Sequence, residues 1–229
     1  MLDEKMDEIE FKVRNPNLFI PQKGDYHQIY LRNVVPLVKN EGLWIELGVY
    51  RGRSIQTISG LTDNTVHGFD TFTGLPEEWN IENPKGCYSV GGGIPPGAIV
   101  GDNQSMYQAT PTMNYEPWNE NVHLIEGLIE DTLPPFIEEH KEPVAFLHID
   151  TDIYSACSFA LNCLKDRIVD GTVICFDELL DYPEYKEHEL KAFAEFLIDT
   201  GYDFDTLIRH GDDNRVNGYS QACVRIKTK

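Results

Sequence analysis

The stretch LWIELGVYRGRS, residues 43–54, runs an apolar segment into a glycine-bearing loop and then into the start of a helix. Residues 43–47 read as a strand. Gly48 and Gly52 let the backbone come close to a ligand, and the helix beginning near Arg53 or Ser54 offers free N–H groups. The same rhythm continues along the chain. TVHGFD (65–70), VHLIE (122–126), VAFLHI (144–149) and TVICF (172–176) read as further strands, with helices at about 25–39, 53–60, 131–140, 154–168 and 184–200. In the last helix Leu190, Phe193, Ala194 and Leu197 share one face, and Gly201 supplies the stop. Such alternation predicts a doubly wound α/β fold, a mostly parallel sheet covered on both faces, with its ligand crevice beyond the carboxyl ends of the strands. YDFDTLIRH (202–210) and YSQACVRIKT (219–228) flank a turn-rich segment and predict a C-terminal antiparallel hairpin, giving seven strands in all.

At 229 residues and 41% hydrophobic, the chain suits a single domain over 1–229. An N-terminal helical segment is expected over about 1–40 and an insertion over about 73–120. The formal charge of −19 excludes nucleic acid and anionic membrane surfaces as natural partners. Five cysteines without a C-x-x-C pair argue against a disulfide framework and a zinc site, and point to a reducing cytoplasm. The start, MLDEKMDEIEFKVRN, lacks the pattern of a signal peptide, and no apolar run approaches the ~20 residues of a membrane span. The sequence does not fix an oligomeric state, although the N-terminal segment could pair chains into a homo-oligomer. Residues 73–120, with GGGIPPG and little periodicity, read as a lid or substrate wall with a short helix near NQSMYQAT. Their aromatics, Trp79, Tyr88, Tyr107, Tyr115 and Trp118, either stack on a sugar or flat ring or pack the insertion onto the domain.

Carboxylates gather at the strand ends: Glu46, Asp70, Asp150, then Asp177 with Glu178, while Asp131 reads as an ordinary helix cap. The glycine loop is not G-x-G-x-x-G, and no G-x-x-x-x-G-K-[ST] occurs, so nicotinamide and P-loop chemistry lose support. Asp70 is placed to accept both hydroxyls of a ribose. Glu46 adds an acceptor beneath the loop. An acidic pocket suits a ligand carrying an ammonium and a sulfonium, which favours S-adenosylmethionine over phosphate-bearing nucleotides.

Together, WIELGVYRGRS, VHGFDTFTGLPEEW, GLIEDTLPPF, FLHIDTDIYSA and GTVICFDELLDYPEYKEHELKAFAEF resemble the class I S-adenosylmethionine-dependent methyltransferases of the macrocin O-methyltransferase-like group, relatives of catechol O-methyltransferase. The resemblance covers roughly residues 43–200, and residues 98–120 run longer than the family pattern. It implies a Rossmann-like methyltransferase fold. It also implies that Glu46, Gly48, Tyr50, Gly52 and Ser54 hold the methionine part of the cofactor. Asp70, Thr71 and Phe72 would lie along the adenosine, and Ile129, Glu130 and Asp131 would border the adenine. In metal-dependent members, acids at the positions of Asp150, Asp177 and Glu178 hold a divalent cation; here the pair is Asp-Glu, where relatives carry Asp-Asp or Asp-Asn.

Three oxygen ligands suit a hard ion, Mg²⁺ or Ca²⁺. The expected activity is O-methylation of a small hydroxylated acceptor, a sugar or natural product. Asp150 would be the catalytic residue at the floor of the crevice, beside cofactor and cation. No lysine follows Asp150 to act as a base, and Asp152 reads as the cap of the next helix. His148, His67 and His123 read as core or neighbour-bonded histidines. Two alternatives remain at this level. HIDTD is also the D-x-D pattern of metal-dependent glycosyltransferases, and a non-catalytic relative that binds adenosine would share the loop.

Overall fold

The computed structural model describes residues 1–21, 26–100, 114–211 and 219–228, without the side chains of residues 26–28. The expected helix near NQSMYQAT and the link of the C-terminal hairpin lie outside the described residues. The first half of the chain forms α1 (Leu2–Arg14), β1 (Leu18–Pro21), α2 (Tyr26–Val34), β2 (Leu43–Leu47), α3 (Arg53–Ser59), β3 (Val66–Asp70) and β4 (Ala98–Val100). Then come β5 (Asn114–Glu116), β6 (Val122–Glu126), α4 (Ile129–Glu139), β7 (Val144–Ile149), α5 (Tyr154–Leu164) and β8 (Ile168–Leu180). The chain closes with α6 (Glu189–Thr200), β9 (Asp203–Gly211) and β10 (Ser220–Lys227).

The main sheet runs β1-β9-β10-β8-β7-β2-β3-β6. Strands β8, β7, β2, β3 and β6 are parallel, and β10 is antiparallel to both β8 and β9. Seven strands therefore match expectation, and an eighth, β1, joins the edge by pairing parallel to β9. Its four residues carry no alternation of burial, so nothing in their pattern announces a strand. β8 is also longer than the segment TVICF suggests. Gly171, at φ 88°, sits at a register shift against β7 that lets the strand continue through what reads as a turn.

Period-two alternation assigns side chains to two cores. Leu43, Ile45 and Leu47 of β2 face a core built with α1, α4, α5 and α6. Trp44 of the same strand faces the other, built with Tyr30, Leu31 and Val34 of α2 and Ile55 and Ile58 of α3. α1 earns its place by spacing, burying Met6, Ile9 and Val13 on one stripe. Of the insertion, residues 98–100 and 114–116 form a separate antiparallel pair. Trp79 is buried edge-on against Tyr182, so this residue packs the insertion down.

A cleft at the switch point

The chain passes from β2 outward to β3 and β6, then crosses back to lay β7 on the other side of β2. The reversal opens a crevice at the carboxyl ends of β2 and β7. A cleft of about 870 Å³ occupies it. Gly48 and Asp150 meet at its floor: Gly48 has φ 86°, and a Cβ there would stand 1.7 Å from the Asp150 carbonyl oxygen. Only glycine permits that approach. Gly52, at φ 80°, leads into α3, and a Cβ on it would collide with the Trp118 ring at 2.3 Å. Trp118 in turn donates from Nε1 to the Pro95 carbonyl at 2.9 Å, so this aromatic braces the loop.

On the β2 and β3 side, most polar groups are matched, although Glu46 Oε2 is buried with no hydrogen-bond partner among the described residues. Ser54 Oγ donates to Oε1 of the fully buried Glu46 at 2.7 Å. Asp70 Oδ2 accepts from the backbone N–H of Val49 (2.8 Å) and Tyr50 (2.7 Å), and Oδ1 accepts from Phe72 (2.6 Å). A carboxylate offers about four lone-pair sites, so most of Asp70 is spent on holding the loop and little remains for a ribose. Tyr50, at φ 47°, tolerates a left-handed conformation because Asp70 fixes its N–H. Its ring lies edge-on to Tyr88, which also lines the cleft.

The β7 and β8 side is crowded with carboxylates instead. Ligand oxygens of Asp150, Asp152 and Glu178 lie within 4.8 Å of one another, and Asp150, Asp177 and His148 form a second such group. Asp177 and Glu178 are neighbours on a strand and so point to opposite faces. Asp177 faces Tyr30 of α2, while the Glu178 backbone N–H donates to Oε2 of Glu189 at the start of α6 (3.2 Å). Burial, then the charges of Asp150 and Asp177, pushes the Asp152 carboxyl well above its usual range. Burial, then Asp177, Asp152 and Asp150, does the same to Glu178, and burial with Asp177 and Asp150 to Glu189. Glu178 Oε2 and Glu189 Oε1 are buried without a hydrogen-bond partner among the described residues. An all-carboxylate set with an orphaned buried oxygen fits a hard divalent cation.

Several expected site residues fall where the sequence places them. Gly48, Tyr50, Ser54, Asp70, Thr71, Ile129 and Glu130 line the cleft, as do Asp150, Asp177 and Glu178. Glu46 lies beneath the loop, and Gly52 backs onto Trp118. Phe72 departs from expectation. Its ring is fully buried in the α2–α3 core, because φ 57° turns it inward and only its backbone N–H serves the site. Asp131 is exposed in the first turn of α4, away from the cleft wall, where an acid favours the helix dipole. Asp152 is not a cap: Ile153 takes that position, and Asp152, at φ 62° and 8% exposed, turns into the carboxylate cluster. Sequence reasoning missed Tyr219 of the cleft wall and the inward Tyr30 and Glu189.

A family model described as macrocin-O-methyltransferase matches residues 30–196. No curated protein matches in sequence. Among solved structures, the calicheamicin methyltransferase CalS11 superimposes with a TM-score of 0.58 at 21% identity, over 86% of this chain and 77% of its own. The O-methyltransferase NovP gives 0.57 at 20% identity, over 88% and 79%. An O-methyltransferase from Bacillus cereus in complex with S-adenosylhomocysteine gives 0.51 at 15% identity, over 97% and 90%. These likenesses show the Rossmann-like methyltransferase fold.

Proposed function

Because the chain belongs to the macrocin O-methyltransferase family and is thereby an S-adenosylmethionine-dependent O-methyltransferase, we propose that its cleft methylates a hydroxyl of a small sugar or other natural product, aided by a divalent cation at Asp150. One observation carries this reading: the glycine loop and the buried carboxylates are two walls of one cleft. The glycosyl-transfer and non-catalytic alternatives give way to the family assignment.

On the loop side, Gly48 and the N–H groups of the loop approach the methionine part, while Thr71, Ile129 and Glu130 border the nucleoside. Asp70 keeps that loop in place and has one acceptor position left for a ribose hydroxyl. On the other side, Asp150 would hold a cation together with Asp177 or with Glu178 and Asp152, the two groups it joins, since Asp177 and Glu178 turn to opposite faces of β8. When bound, the cation supplies charge that lowers the pKa of an acceptor hydroxyl and fixes its direction.

The chain's own part is alignment. The sulfonium is already an activated electrophile, so in-line placement at near-attack distance is the main task. The methyl carbon leaves sulfur for the acceptor oxygen, S-adenosylhomocysteine departs, and the hydroxyl proton needs a home. Asp152 replaces the missing lysine as that acceptor. It lies within the Asp150 cluster, where the cation that neutralises its neighbours would also keep it ionised to accept a proton.

The test is release of S-adenosylhomocysteine from S-adenosylmethionine across a panel of sugars and hydroxylated aromatics, with Mg²⁺ or with chelator. Turnover that depends on one acceptor class and on Mg²⁺ is expected. Cation-independent turnover unaffected by Asp150→Asn would remove the acid wall from the reaction.

A further inference from the structure

The two walls of the cleft are joined behind it. Glu46 on β2 and His148 on β7 are register partners, so both project onto the α2–α3 face, as does Asp177 on β8. His148 is fully buried. Its Nε2 is hydrogen-bonded to Tyr30 Oη at 2.7 Å, while its Nδ1 faces Glu46 Oε2 at 3.5 Å, a close polar contact between two buried atoms that have no hydrogen-bond partner among the described residues. Tyr30, also fully buried, reaches in from α2 and donates to Asp177 Oδ1 at 3.1 Å.

Donor counting gives the chain a direction. Tyr30 has one hydroxyl proton, and it is donated to Asp177 Oδ1. Tyr30 Oη must then accept from His148, which puts a proton on Nε2. Both imidazole nitrogens are thus turned to Glu46 and Tyr30, so His148 is a strut behind the carboxylates rather than a ligand among them. Ser54 completes the path by binding Glu46 Oε1 from the first turn of α3. Stacking of Tyr30 on His210, with centroids 5.9 Å apart, holds the phenol ring in place independently of its hydroxyl.

We infer that Tyr30 and His148 are positioning residues that couple the cofactor loop to the cation wall. Ordering Glu46 from the loop side orients His148 and, through Tyr30, Asp177; ordering Asp177 acts in reverse. Neither residue faces the cleft, so neither touches cofactor or acceptor. Linkage requires the effect to be reciprocal: each ligand improves the other's affinity by the same factor. This inference rests on the cation reading above.

Calorimetry tests it with S-adenosylhomocysteine and Mg²⁺, each titrated into full-length protein with and without the other. The wild type is expected to show a mutual enhancement of about fivefold or more, the lower end of typical coupling. Tyr30→Phe keeps the ring and removes the hydroxyl, and should bring that ratio close to one while S-adenosylhomocysteine alone binds as before. His148→Gln offers a second break of the same path, read in the same ratio. A wild-type ratio near one, or an undiminished ratio in Tyr30→Phe, overturns the inference while leaving the cation reading intact. No Mg²⁺ binding by the wild type in either state overturns both.

Discussion

The walls of the cleft are built on opposite electrostatic plans. On the β2–β3 side, the acids meet donors on all but one oxygen: Ser54 serves Glu46 Oε1, three backbone N–H groups serve Asp70, and only Glu46 Oε2, turned back toward His148, lacks a hydrogen bond among the described residues. On the β7–β8 side, acids meet acids, and Asp152, Glu178 and Glu189 are all pushed above the ordinary carboxylate range. A largely satisfied network is rigid and ready to receive a neutral or cationic ligand. A crowded one stores repulsion that a cation or protons relieve. The difference teaches that the first wall is organised for the cofactor and the second awaits a charge.

Substitutions should therefore act differently on the two walls. The largest effect is expected for Asp150→Asn, which removes the shared member of both carboxylate groups; turnover should fall by about a hundredfold or more, with loss of the Mg²⁺ response. Steady-state kinetics against Mg²⁺ concentration checks it. Next, Asp70→Asn swaps an acceptor-only group for an amide that cannot serve three N–H donors. S-adenosylhomocysteine should bind about tenfold more weakly by calorimetry, an effect of roughly 1.4 kcal/mol.

Stability should separate the walls by sign. Ser54→Ala leaves buried Glu46 without its hydroxyl donor and should cost about 1–3 kcal/mol. Glu178→Gln, in cation-free buffer, removes a repelled charge and should raise the melting temperature by about 2–4 °C. Thermal unfolding of the pair gives the comparison directly; two losses of similar size would break it.

The smallest expected signal is in pH dependence. Folded carboxyls with raised pKa hold protons that the unfolded chain has released, so their contribution is full below the ordinary carboxylate pKa and is lost as pH rises through the folded value. His67 has the reverse sign. Burial, then His140 and His123, lowers it from 6.5 to about 4. Its contribution is present above 6.5 and declines as pH falls toward 4. Without cation, stability against pH should therefore soften its alkaline fall in Glu178→Gln, with Asp152 and Glu189 still contributing, and soften its acid fall in His67→Phe, measured as melting temperature in matched buffers.

Much of the fold was legible because its central strands are short apolar runs with clear ends. Residues 43–47, 122–126 and 144–149 begin and stop where the pattern says. The edge strand β1 was not legible, since Leu18–Pro21 is a strand only because β9 lies beside it. The site divides in the same way. Gly48, Asp70 and Asp150 follow from position at strand ends, which sequence displays. Asp152 was misread because an acid before a helix usually caps it, and the left-handed backbone that turns it inward leaves no mark in composition. Tyr30 joins Asp177 across 147 positions of chain, a contact that only the packing of α2 on the sheet creates. Phe72 follows Asp70 in sequence, but its backbone alone reaches the site.

The division of labour between the walls is tested most directly by a chelator. In excess EDTA the protein is expected to keep binding S-adenosylhomocysteine, within about an order of magnitude of its affinity with Mg²⁺, while methyl transfer stops and returns on adding Mg²⁺. Methyl transfer that continues unchanged in EDTA would contradict the account.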